Sequence, residues 1–215
     1  MRQLTVCETF TSLLGESTWA GLPAFFIRLT GCNLRCRYCD TTYAYERGED
    51  WEMESLVQAA RKSATRLVLV TGGEPLLQKS TRLLLDKLLE AGLEVLLETN
   101  GSLPLQGVDP RVRRIVDLKC PGSGMSRHNL WSNLEILTSR DEVKFVITDK
   151  EDFTWAVEVA EKYQLPDRMP VLISPVFDAP LALIEVAAWI IESGLPLRLN
   201  LQLHKYIWGP EAQGV

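Results

Sequence analysis

Apolar positions along this chain switch repeatedly between two periods. Short strand-like runs fall at 24–29, 66–70, 94–98, 114–118, 142–147, 171–174 and 198–203. Between them, apolar residues recur at three- and four-residue intervals. Leu56, Val57 and Ala60 share one face of a predicted helix over 52–63, and Leu84, Leu85, Leu88 and Leu89 do so over 76–91. Further helices are predicted over 151–163 and 181–192, and Gly92 and Gly194 stand where helix stops belong. Strand and helix in repeated order imply a mostly parallel sheet with right-handed crossovers. The number of strands suits an incomplete, partial TIM-like βα barrel better than a full eightfold one, which takes about 250 residues. One domain over 1–215 is expected.

In such folds the chemistry collects at the C-terminal ends of the strands. Those ends are polar or glycine-rich here. A cysteine loop follows 24–29, Thr71-Gly72-Gly73-Glu74-Pro75 follows 66–70, and Glu98-Thr99-Asn100-Gly101 ends the third run. Asp117-Leu118-Lys119 and Ser174-Pro175 close later ones.

The cysteine loop changes the picture most. Cys32, Cys36 and Cys39 are spaced Cys-x3-Cys-x2-Cys with no fourth cysteine nearby. A full thiolate set on an iron–sulfur cluster needs four, so three leave one iron of a 4Fe–4S cube open to a small molecule. A zinc knot also needs four ligands, and Cys7, Cys120, His128 and His204 are all distant in sequence. Five cysteines are an odd set for a disulfide framework and fit metal ligation in a reducing compartment. The formal net charge of −5 speaks against a nucleic-acid footprint. No apolar run reaches the ~20 residues that span a bilayer, and a cytoplasmic protein without a membrane partner is expected.

The cysteine triplet, Tyr38 just before its last member, and Gly72-Gly73-Glu74-Pro75 downstream resemble the radical S-adenosylmethionine (SAM) superfamily. The resemblance implies a 4Fe–4S cluster whose open iron is chelated by SAM, and a 5′-deoxyadenosyl radical made by one-electron cleavage. It implies a reductant such as flavodoxin or ferredoxin. A glycyl-radical-enzyme activating enzyme shares the cysteine motif and is the alternative within this chemistry. A non-catalytic metal-binding or electron-carrier module is the alternative outside it.

A narrower resemblance runs along nearly the whole chain. Phe10 to Glu16, Phe26 to Cys32, Cys39-Asp40-Thr41 and the tail Gln202 to Trp208 are similar to the 7-carboxy-7-deazaguanine synthase family. It implies conversion of 6-carboxy-5,6,7,8-tetrahydropterin to 7-carboxy-7-deazaguanine with release of ammonia, in queuosine and 7-deazapurine biosynthesis. It also implies a homodimer, to which the helix over 181–192 with Trp189 could lend an apolar face.

Carried over residue by residue, it implies cluster ligation by Cys32, Cys36 and Cys39, and a Mg²⁺ ligand at Thr41. Tyr38, Cys39, Asp40, Gly73 and Lys119 would surround SAM. Leu13, Leu14, Gly15, Glu16, Arg28, Thr71, His204 and Val215 would meet the pterin. In the family Gln usually stands at the position of Leu14 and often Gly at that of Ser17, so the contacts of this loop depart from the pattern. Cys7 and Cys120 read as inert or as extra ligands.

Overall fold

The computed structural model describes residues 3–177, 179 and 181–215. Nine strands form one open sheet: β1 (Gln3–Leu13), β2 (Pro23–Leu29), β3 (Glu49–Glu52), β4 (Leu67–Gly72), β5 (Glu94–Thr99), β6 (Arg113–Lys119), β7 (Glu142–Ile147), β8 (Val171–Pro175) and β9 (Leu197–Leu199), in the order β3-β1-β2-β4-β5-β6-β7-β8-β9. From β2 through β9 every neighbouring pair is parallel. β1 runs antiparallel to both β2 and β3. Helices α1 (Met53–Lys62), α2 (Thr81–Glu90), α3 (Asn133–Ile136), α4 (Lys150–Lys162), α5 (Leu183–Ser193) and α6 (Leu203–Trp208) connect or follow the strands. The sheet does not close, which agrees with the incomplete barrel expected from the strand count.

The two faces of the sheet bury different things, because successive strand residues point to opposite sides. One face carries Ile27, Leu29, Val68, Val70, Leu97, Val116, Leu118, Phe145 and Ile173 against Leu56 of α1, Leu84, Leu85 and Leu88 of α2, and Phe153 and Ala156 of α4. Each of these side chains larger than Ala156 contributes about 1.5–3 kcal/mol by leaving water. The concave face has a small apolar floor of Leu14, Ala24, Phe26, Leu67, Leu69, Leu96 and Ile115, with Phe10 stacked on Phe26 at a centroid distance of 4.6 Å. Moving toward the C-terminal strand ends, the same face turns polar. Phe26 gives way to Arg28, Leu69 to Thr71, Leu96 to Glu98, and Ile115 to Asp117 and Lys119.

Three expectations about elements need correction. The helix expected over 76–91 begins at Thr81. Glu74 accepts a hydrogen bond from Leu76 N–H at 3.0 Å and fixes a 3-10 turn at Pro75–Leu77. Gln78 is then drawn out of helical geometry, with its amide group on the Thr5 N–H, the Thr5 carbonyl and the Thr30 carbonyl. The run over 198–203 is broken after Leu199 by Asn200. Its N–H meets the Ile173 carbonyl, its Nδ2 donates to Ser174 Oγ at 2.6 Å, and its Oδ1 accepts from Ser17 N–H at 3.0 Å. That staple turns the chain across the top of β8 and into α6. Finally, β1 precedes the strand taken as first, and β3 pairs with it. Leu4 and Val6 face the core, but beyond the bulge at Cys7 the strand's middle is only half-buried, which hides its period.

Candidate functional site

At the C-terminal ends of β2, β4, β5, β6 and β7 the concave face opens into a cavity of about 250 Å³. All sixteen residues singled out from the sequence line it: Leu13, Leu14, Gly15, Glu16, Arg28, Cys32, Cys36, Tyr38, Cys39, Asp40, Thr41, Thr71, Gly73, Lys119, His204 and Val215. Cys120 does not line it. This thiol is fully buried in the core behind the sheet, and burial pushes its pKa well up. Cys7 sits at the bulge of β1, outside the cavity, and His128 lies in a separate 3-10 turn, Ser126–His128.

The cysteine loop leaves β2 and is tied to the next loop by backbone. Gly73 N–H donates to the Leu29 carbonyl at 3.2 Å and Glu74 N–H to the Gly31 carbonyl at 2.8 Å. Gly73 has room for no side chain, since a Cβ there would stand 2.7 Å from Cys32 Cβ. Glu74 is fully buried and accepts from Thr99 Oγ1 and Asn100 N–H, locking the β4 and β5 loops together. Burial raises its pKa. The Cys32 sulfur accepts from Leu34 N–H at 3.5 Å and faces Asn100 Nδ2 at 3.8 Å. Burial pushes the Cys32 and Cys36 thiols up. Tyr38 is pushed up as well, by burial first and then by Asp117.

Asp40 and Thr41 follow directly. Thr41 Oγ1 donates to Asp40 Oδ1 at 2.9 Å, and Lys205 of α6 reaches Asp40 Oδ2 at 2.6 Å. Partial burial opposes ionisation of Asp40, but Lys205 and the Thr41 hydroxyl outweigh it and hold the carboxyl down at about 2. Gln202 bridges Asp40 to Glu16. The tail therefore closes one side of the cavity through charged contacts.

The opposite wall comes from the sheet. Arg28 gives its Nε to Glu8 at 2.8 Å, and Tyr43 gives its hydroxyl to the same carboxylate at 2.9 Å. Burial, outweighing the lowering by Arg28, lifts Tyr43 to about 12. Only the Nε edge of the guanidinium is occupied by that pair, so its terminal nitrogens suit a planar anion. In the sheet register Arg28 lies beside Thr71, and Asp117 beside Lys144. Lys119 is paired with Asp117 at 2.8 Å. Burial would discharge this lysine, but Asp117 and the nearby Cys36 hold its pKa above the ordinary value.

Leu14 offers the cavity little backbone. Its N–H is bonded to the Leu22 carbonyl and its C=O accepts from Gly21 N–H, both at 2.8 Å. What it gives the cavity is a buried side chain in the apolar floor, which suits Leu where the family pattern has Gln. Gly15 is packed under His204: a Cβ at Gly15 would stand 2.8 Å from His204 Cγ. Burial depresses the His204 imidazole and favours its neutral form.

Sequence reasoning passed over Lys144 as a cavity residue and marked Glu98 only as part of a strand end; it also passed over Gln202 and Lys205. Strand alternation holds a signal for the first two. In Glu142–Ile147 the charged Glu142 and Lys144 alternate with Val143, Phe145 and Ile147, so the charges must share the inner face. Glu98 likewise alternates with the buried Leu97 and Thr99.

A model of the Radical SAM superfamily matches residues 26–174. The chain belongs to that superfamily. A protein named 7-carboxy-7-deazaguanine synthase from Chlorobaculum tepidum is 42% identical, covering 99% of this chain and 97% of the relative. Another of that name from Koribacter versatilis is 40% identical, covering 99% of this chain and 100% of its own length. The chain is thus also a member of the 7-carboxy-7-deazaguanine synthase family. The crystal structure of QueE from Escherichia coli has the same fold, with a TM-score of 0.71 over 93% of each chain at 24% identity.

Superfamily membership brings a 4Fe–4S cluster and SAM, and the residues present fit both. The three thiols open on one cavity with an N–H already directed at Cys32 sulfur. Among the described residues no three His, Cys, Asp or Glu groups close on a single ion. Asp117 Oδ1 is buried, lines the cavity and has no hydrogen-bond partner among the described residues. An orphaned acceptor of this kind calls for a ligand donor. No helix among the described residues is long and apolar enough to cross a membrane.

Proposed function

We propose that this chain converts 6-carboxy-5,6,7,8-tetrahydropterin to 7-carboxy-7-deazaguanine with release of ammonia, as one domain over 1–215 on the route to queuosine and other 7-deazapurines. The observation that carries this reading is the single cavity in which Glu16 and Arg28 face the cysteine loop. When bound, the cluster and SAM supply the radical that starts the reaction.

The chain's own residues bind, orient and shield. Cys32, Cys36 and Cys39 hold the cluster. Tyr38, Cys39, Asp40, Gly73 and Lys119 surround SAM, and the close approach at Gly73 lets backbone meet it directly. Glu16 accepts from the amino and ring N–H groups of the pterin, a donor edge that a carboxylate matches with two oxygens. Arg28 pairs with the substrate carboxylate, its Nε anchored by Glu8. Thr71 and His204 complete the polar wall, while Leu13, Leu14, Gly15 and Val215 shape the slot around the ring. Thr41 would offer one hydroxyl oxygen to Mg²⁺, a hard cation that takes oxygen ligands and would neutralise charge on the substrate. The wall of Phe10, Phe26, Leu69 and Ile115 keeps water from the reacting ring.

Around this core the reading adds a flavodoxin- or ferredoxin-like electron donor, a cytoplasmic setting and a homodimer. Trp189 is turned inward onto Phe153, so the apolar surface that α5 offers a second copy is Ile184 and Ile191, 80% and 79% exposed.

The test is anaerobic incubation of the reconstituted protein with 6-carboxytetrahydropterin, SAM, Mg²⁺ and a reductant. A deazaguanine product supports the reading. Turnover of SAM only in the presence of a large partner enzyme would move the assignment to glycyl-radical activation.

A further inference from the structure

Lys144 stands at the centre of the cavity wall, with a side chain only 5% exposed. Its ammonium lies 2.7 Å from Glu16 Oε2, 2.5 Å from Glu98 Oε1 and 4.0 Å from Asp117 Oδ2. The three carboxylates come from the β1–β2 connection, β5 and β6. Their second oxygens are placed as well: Gln202 Nε2 holds Glu16 Oε1 at 2.9 Å, and the Thr71 hydroxyl holds Glu98 Oε2 at 3.2 Å. Every member of this network faces the cavity.

A buried ion network is a poor way to gain stability, since apolar residues of the same volume often do as well. Its presence on the wall of a ligand cavity therefore points to binding. Two carboxylates bonded to one nitrogen lie no more than about 5.2 Å apart. At that separation in a low-dielectric site they oppose each other's ionisation unless a cation stands between them. An ionised carboxylate only accepts hydrogen bonds, whereas a protonated one also donates.

We propose that Lys144 is a positioning residue that keeps Glu16 and Glu98 as a pair of fixed acceptors, aimed at the N–H edge of a planar 2-amino-4-oxo bicyclic ring. The proposal rests on the pterin reading above and assigns to Lys144 the discrimination of that ring from its 2-oxo counterpart. A 2-oxo group in place of the amino group would set a carbonyl oxygen against a carboxylate oxygen, acceptor against acceptor. Lys144 itself touches neither ring; it acts through the two carboxylates. Nearby titratable groups that act on the same network are Arg28 and the His204 imidazole on Glu98, and Lys119 beside Asp117.

The test is equilibrium dialysis of the anaerobic holoenzyme against two unreactive aromatic ligands, 6-carboxypterin and 6-carboxylumazine, which differ in the 2-amino and 2-oxo groups. Wild type should prefer the pterin. Lys144→Met should weaken 6-carboxypterin about tenfold, the size of a coupled contact, and leave 6-carboxylumazine within about twofold. Lys144→Met/Glu98→Gln removes a buried charge together with its partner. It should lose the same preference, and it serves as the test if the single variant does not fold. Equal weakening of both ligands, or no change in either, would overturn the assignment while leaving the pterin site in place. A wild-type protein that binds neither ligand would overturn the pterin reading and the role of Lys144 with it.

Discussion

Gly73→Ala is the perturbation that bears hardest on how the cysteine loop is built. A Cβ at this position would lie 2.7 Å from Cys32 Cβ and from the Gly31 carbonyl carbon, and nearer still to the Gly31 oxygen, where ordinary contact begins at 3.4 Å. The neighbours must retreat by at least about 0.7 Å, and two of them are backbone. They are not free to do so, because Gly73 N–H is bonded to Leu29 and Glu74 N–H to Gly31. Overpacking of this kind costs about 1–3 kcal/mol, which in a chain of this size lowers the melting temperature by up to about 10 °C. If the cysteine loop yields instead, the cost moves from stability to cofactor binding, where 1.4 kcal/mol is about tenfold. The assay is a melt of the reconstituted protein beside iron content and equilibrium dialysis of SAM. A lower melting temperature, less iron or SAM affinity reduced about tenfold is the expected result. An alanine variant that melts, loads iron and binds SAM like wild type would refute the contact between the two loops.

Three further outcomes follow from the same geometry. Cys36→Ala should abolish the cluster's visible absorbance and SAM cleavage together, checked by spectroscopy and by 5′-deoxyadenosine formation. Asp141→Asn should cost about 3 kcal/mol or more, read by denaturant unfolding. Asp141 is 1% exposed and bonds the Arg114 guanidinium at 2.6 and 2.9 Å, the Arg114 N–H and the Thr138 N–H. It lies outside the cavity, so turnover per folded molecule should be kept. The Glu98–Lys144 pair has a defined pH window. Burial opposes ionisation of Glu98, but Lys144 outweighs it and holds the carboxyl below its ordinary value. Its stabilisation is thus complete above the unfolded value of about 4.3 and disappears as pH falls through the lower folded value. Burial opposes the charge on Lys144, and Glu16, Glu98 and Asp117 hold it well above its ordinary value. Its share is complete below about 10.4 and is lost as pH rises through the higher folded value. The unfolding free-energy difference between wild type and Glu98→Gln should therefore be flat from about pH 5 to 9 and shrink below about pH 4.

The strands that build the cavity were legible because buried parallel strands make continuous apolar runs. The polar residues closing them, from Arg28 to Lys119, marked the strand ends. The cysteine spacing and the Gly-Gly-Glu-Pro turn identified the superfamily without any structure. What stayed hidden depends on distant partners. The 3-10 turn at Pro75–Leu77 exists because Glu74 bonds residues of the β5 loop and Gln78 bonds β1. The break at Asn200 needs Ser17 and Ser174 to be in reach. No local period encodes either contact. Lys144 was hidden for a related reason. A lysine inside an apolar run reads as a solvent-facing interruption until Glu16, Glu98 and Asp117 are found around it. The long β1 escaped because most of its residues beyond Val6 are half-buried, so no sharp alternation of buried and exposed positions marks it.

The central claim is that one concave cavity joins a three-cysteine cluster loop to a carboxypterin slot. Its most direct measurement is the amount of ammonia and of 7-carboxy-7-deazaguanine formed from 6-carboxytetrahydropterin by the reduced, reconstituted protein with SAM and Mg²⁺. The account predicts both in equal amounts, with the product lost in Arg28→Ala and Glu16→Gln. Cleavage of SAM to 5′-deoxyadenosine with neither ammonia nor a deazaguanine would contradict it.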